Sequence, residues 1–136
     1  YEKALINHKT HLSIAREIQD RLGETQALGN LGKVLFNQGK YPKAIDFHQE
    51  QLALAKAIQD RVSESQALAN LGRAHLAMGE LQQAISYLQD SLYISVTIKD
   101  NLSRGETLRF MGDVSAFIGE SEQAKDYYMQ QLELAR

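Results

Sequence analysis

The chain has 136 residues, no cysteine, one proline and a formal charge of −2. That excludes disulfides and thiolate metal sites, and it leaves no basic surface for general nucleic-acid or anionic-membrane binding. With 43% hydrophobic and 24% charged residues the composition is that of a folded chain, and no apolar run approaches the roughly 18 residues of a membrane span.

Abundant Ala, Leu, Gln and Glu predict helix almost throughout. The first predicted element is a lone helix over residues 1–19. It opens in mid-pattern at Tyr1-Glu2-Lys3-Ala4-Leu5, so the sequence reads as a piece of a longer protein. A second helix runs from about Leu22 to Gln38, with Ala27, Leu28, Leu31, Leu35 and Phe36 at helical spacing. Gly39 supplies the left-handed stop that many helix C-termini need. A third begins at Tyr41 or Pro42, where first-turn amides have no intrahelical partner and proline is tolerated. Its apolar stripe is Ala44, Ile45, His48, Leu52, Ala55 and Ile58. Asp60, like Asp20 and Asp100, stands where a carboxylate can accept from the free amides of the following helix.

From there the pattern starts again. Residues 1–40 laid over residues 41–80 agree at 18 of 40 positions, and residues 81–120 follow as a more diverged copy. A period of this length marks a stacked array of helix pairs. Glycine recurs at Gly32, Gly72 and Gly112, and alanine at Ala4, Ala44, Ala84 and Ala124. Mid-helix glycine costs about 1 kcal/mol relative to alanine, so its recurrence predicts a neighbouring helix too close to admit a side chain.

These residues resemble the tetratricopeptide repeat family: Leu31-Gly32 and Leu71-Gly72 in the first helix, Leu35 three positions on, Gly39 and Gly79 at the turn, Ala44 and Ala84 in the second helix. The forty-residue unit, longer than the family's usual one, is most similar to Pins/LGN polarity adaptors. HEAT and armadillo repeats have a similar period but do not place glycine both inside the first helix and at its end. The resemblance implies an all-α fold of antiparallel helix pairs in a right-handed superhelix, about seven helices in all. Residues 1–19 would be the second helix of a truncated repeat, and 20–59, 60–99 and 100–136 the helix pairs of a single array.

The resemblance also implies a binding groove on the concave wall, lined by the first helix of each pair. Carried over, the ligand-facing positions are Gln26, Gly29, Lys33, Phe36 and Asn37, then Gln66, Ala69, Arg73, Leu76 and Ala77, then Glu106, Arg109, Asp113, Ala116 and Phe117. Asn30 and Asn70 stand where relatives hold a peptide backbone, and asparagine suits that work because it both donates and accepts. The alternative for both is an inter-helix hydrogen bond internal to the repeat. Phe110 replaces asparagine in the third unit, so the ladder stops after two rungs. Lys33, Arg73 and Arg109 would form a positive strip favouring acidic partners. Gly29 and Lys33 occupy the places where a carboxylate clamp needs lysine and asparagine, so no such clamp is expected.

His8 and His11 lie one helical turn apart, but no third ligand is spaced near them, and His48 repeats His8 on a packing face. Tyr127 is expected in the core and Tyr128 at the half-exposed surface. No catalytic motif is recognisable, and neither a metal nor a cofactor is expected. The expected function is a non-enzymatic cytoplasmic scaffold binding a protein or peptide segment, without nucleic acid or membrane. Two alternatives stand beside it. One is a structural module that self-associates through its uncapped end helices; the other is a regulatory ligand-sensing domain of a larger protein.

Overall fold

The computed structural model describes residues 1–135. Among them the chain forms seven helices: α1 (Glu2–Glu17), α2 (Arg21–Asn37), α3 (Tyr41–Ala57), α4 (Arg61–Ala77), α5 (Leu81–Thr97), α6 (Asn101–Phe117) and α7 (Ser121–Ala135). The described residues contain no strand. Arg136, where the sequence closes its third pair, lies outside them.

Helix ends follow from local chemistry. Asp20, Asp60 and Asp100 cap α2, α4 and α6, accepting from the backbone N–H of Gly23, Ser63 and Ser103 at 3.0–3.2 Å. At the other end of α2, Lys40 N–H donates to Leu35 and Gly39 N–H to Phe36, both at 2.9 Å. This doubled closure satisfies two of the helix's orphan carbonyls and sets Gly39 at φ +78°. The predicted span from Leu22 to Gln38 therefore shifts by one residue, because Gln38 is the cap and not the last helical residue.

The same closure recurs at every joint, and here the structure adds something. Positive φ falls at residues 19, 39, 59, 79, 99 and 119, a spacing of twenty rather than forty. Gly39, Gly79 and Gly119 serve alternate joints, while Gln19, Gln59 and Lys99 take the same conformation at φ 58–60° with full side chains.

The recurring glycines mark close approach. A methyl group on Gly32 would sit 2.5 Å from the His48 ring, one on Gly72 2.6 Å from Leu88 Cγ, and one on Gly112 2.5 Å from the Tyr128 ring. Each contact joins the two helices of one pair. Tyr128, and not Tyr127, therefore holds the position equivalent to His48; both tyrosines are half-buried. His48 is 1% exposed, and Gln51 is buried beside it with its Oε1 3.1 Å from His48 Nδ1. Burial lowers the His48 pKa to about 4, with the Lys33 charge acting the same way against the Gln51 hydrogen bond.

Three apolar clusters run along the stack. Leu12, Ala27, Leu28 and Leu31 join α1 to α2, Ile45, Leu71 and Ala74 join α3 to α4, and Ala69, Ala84, Leu88, Phe110 and Val114 join α4, α5 and α6. Each fully buried leucine contributes about 1.5–3 kcal/mol. A hydroxyl chain ties the last two pairs together: Ser91 Oγ donates to the Ser65 carbonyl at 2.9 Å and lies 2.9 Å from Thr107 Oγ1. Among the described residues, α2, α4 and α6 touch in succession, whereas α3, α5 and α7 do not touch one another. One wall is therefore continuous and the other splayed. The stack curves toward the first helices.

Candidate functional site

The continuous wall carries every residue assigned to the groove. Gln26, Asn30, Lys33 and Asn37 lie on α2, Gln66, Asn70 and Arg73 on α4, and Arg109 on α6. The structure gathers six of these eight into two places.

The first is a depression of about 170 Å³ between α2 and α4. It brings Gln26, Asn30, Lys33 and Gln66 together, with Ser63 at its edge and the Gln51 amide as its floor. Gly29 exposes that floor: a methyl group there would meet Gln51 Nε2 at 2.6 Å. The lining is thus a set of amides and one ammonium, rich in both donors and acceptors. Neither Asn30 nor Asn70 makes a side-chain hydrogen bond among the described residues, so the internal inter-helix bond considered for them is not formed.

The second place is built around rings. The Arg73 guanidinium lies 4.1 Å from the Phe36 ring centroid and 5.5 Å from that of Phe110, and Arg109 lies 4.9 Å from Phe110. A cation within about 6 Å of a ring face is attracted by the ring quadrupole, by roughly 0.5–2 kcal/mol depending on exposure. Phe36, Arg73, Phe110 and Arg109 thereby form one row across α2, α4 and α6. Neither arginine has an ion-pair partner among the described residues. Desolvation, followed by the charge of Arg109, lowers the Arg73 pKa, while Asp113 and Glu106 oppose the shift. The strip is therefore positive at its centre and bordered by carboxylates. Asp113 is already engaged, accepting from Tyr128 Oη at 2.6 Å; that bond is the main reason the phenol is raised to about 12.

Not every mapped position brings a side chain into the groove. Gly29 and Ala69 are buried, and Leu76 packs against the α4–α6 cluster. Arg109 occupies the same register as those first two but is exposed. Asn37 is exposed and Asn70 half-buried, and neither lines the depression. Phe110 is the residue the sequence reading undervalued. Taken as a break in the asparagine ladder, it is 4% exposed and forms the pivot between the two arginines. The signal was present in the sequence as an aromatic flanked by arginines in consecutive units.

Among the described residues there is no cluster of three metal-ligating side chains, and no helix is long and apolar enough to cross a membrane.

A family model described as tetratricopeptide repeat matches residues 23–95 and 63–136. A search of curated proteins finds no match. Among solved structures, the TPR domain of Arabidopsis FLU is similar with a TM-score of 0.75 at 23% identity, over 83% of this chain and 95% of that one. BtubC (BKLC) from P. vanneervenii is similar with a TM-score of 0.80 at 17% identity, over 98% of this chain and 56% of that one. At such identities the likeness shows the fold alone, a solenoid of stacked helix pairs. With the family match extending from the first full pair to the last helix, the chain belongs to the tetratricopeptide repeat family, whose repeats support protein–protein interaction.

Proposed function

We propose that the chain is a non-enzymatic scaffold that binds an extended, acidic peptide segment of a protein partner along the α2–α4–α6 wall. The observation that carries this reading is Arg73, held between Phe36 and Phe110 beside Arg109 without a carboxylate of its own. The rings hold the guanidinium in place while leaving its in-plane N–H donors to an incoming carboxylate. Gln26, Asn30 and Gln66 then meet the peptide backbone nearer the N-terminal ends of α2 and α4, where sequence-independent amide pairing suffices. Asn70 and Asn37 complete the proposed set at the margin of this path.

A random peptide array tests the reading. The expected result is enrichment of peptides with two or more Asp or Glu, bound more weakly as salt rises. Arg73→Glu combined with Asn70→Ala should lower their affinity at least about tenfold. Peptide selection without charge preference, or equal affinity in the double variant, overturns the assignment.

The exposed apolar residues Met129 and Leu132 of α7, each 61% exposed, favour self-association as a second reading. Leu52 and Leu92, equivalent to Leu132, are half-buried. A mass by light scattering that stays monomeric at every concentration removes that reading.

A further inference from the structure

A cavity of about 150 Å³ lies on the splayed side of the stack, between α5 and α7, with α6 beneath it. Its walls include Ile85, Met111, Ser115, Ile118, Glu120 and Tyr127. The repeat itself explains why the cavity is there. The position of Ser115 is occupied by Leu35 in the first pair and by His75 in the second. In the second pair the His75 imidazole stacks on Tyr87, with centroids 5.3 Å apart and planes 20° from parallel. Glu80 Oε1 lies 3.6 Å from His75 Nδ1.

The third pair keeps both partners of that ring. Tyr127 is the forty-residue equivalent of Tyr87, and Glu120 that of Glu80. Both line the cavity, and Gln123 Nε2 donates to the Tyr127 hydroxyl at 3.1 Å, which fixes the ring wall. What the third pair lacks is the ring between them.

We propose that this cavity is a binding site for one planar nitrogen heterocycle of imidazole size, stacked on Tyr127 with a ring N–H directed to the Glu120 carboxylate. Size decides for one small ring: a cavity of about 150 Å³ lined by apolar side chains accommodates benzene in a well-studied engineered protein. Chemistry decides for a ring with N–H donors, because the apolar wall and the carboxylate are those that flank an imidazole one unit earlier. The ring can arrive as the histidine side chain of a partner segment or as a free small molecule, and both present the same atoms. The site is separate from the α2–α4–α6 wall and does not depend on the function proposed for it.

The test is titration of the whole chain with 4-methylimidazole, followed by methyl resonances of Ile85, Met111 and Ile118. The expected result is saturable shifts with a dissociation constant on the order of 1 mM, as befits so few heavy atoms. Toluene should bind at least about tenfold more weakly, since it lacks the N–H. Ser115→His and Ser115→Leu, which install the residues of the other two pairs, should abolish the response; a melting curve checks that both variants fold. Tighter binding of N-acetyl-histidine N-methylamide assigns the site to a partner's side chain, and binding of the free ring alone assigns it to a small molecule. No saturable shift, an unchanged response in Ser115→Leu, or equal binding of toluene overturns the proposal.

Discussion

A glycine that touches its neighbour and a glycine that does not give opposite expectations for the same substitution. Gly72→Ala places a methyl 2.6 Å from Leu88 Cγ and 3.2 Å from the Ala84 carbonyl oxygen, so backbone must move, and we expect a loss of about 1–3 kcal/mol. At Gly105 the nearest atom is Gln131 Cγ at 3.9 Å. There alanine should stabilise by about 0.5–1 kcal/mol through helix propensity alone. Urea denaturation of the two variants checks both signs. His48 gives a second prediction. Its folded pKa near 4 lies below the ordinary value of 6.5, so between those limits the unfolded chain binds more protons. Stability should fall as pH drops from 6.5 toward 4, by roughly 3 kcal/mol in all. His48→Leu, which installs the Leu88 arrangement over Gly32, should flatten that part of the stability–pH curve. The close approach at these positions was legible from recurrence of glycine in the sequence. The partners were not, since His48, Leu88 and Tyr128 fill one role with unrelated side chains.

The joints between helices repeat their backbone geometry more faithfully than their residues. Gln59 takes a left-handed conformation that costs an L-residue about 1–2 kcal/mol, in a turn where Gly79 and Gly39 serve the alternate joints. Gln59→Gly removes that cost and adds about 0.5–1 kcal/mol of unfolded-state entropy. We therefore expect a net gain of about 0.5 kcal/mol, measurable as a higher urea midpoint with an unchanged slope. Element ends of this kind were half legible. Asp20, Asp60 and Asp100 announce helix starts by their chemistry, and Gly39 announces a stop. Gln19, Gln59 and Lys99 carry no such signal, because their conformation is imposed by the helices on either side. The candidate site divides in the same way. Helical register alone grouped Gln26, Asn30 and Lys33, whereas the place of Phe110 between two arginines depends on how α6 lies against α4.

Among the described residues, α1 packs mainly on α2 and α7 mainly on α6, while α4 touches α2, α3, α5 and α6. In a linear stack, stability accumulates from such neighbour interfaces. Amide hydrogen exchange should accordingly be slowest in α4 and fastest in α1 and α7. Uniform protection along the chain would show that the stack opens only as one unit. The turns spaced by twenty carry a different consequence, for how such a chain can change its length. Each full helix takes 17 residues and each joint three, and the inner and outer walls alternate with every such step. An insertion of one step would keep every turn intact and yet deliver outer-wall side chains to the groove. Two steps restore the alternation. The chain is thus editable only in even counts, like a zip whose teeth mesh in pairs, and forty residues is the smallest duplication that lengthens the groove without turning it inside out.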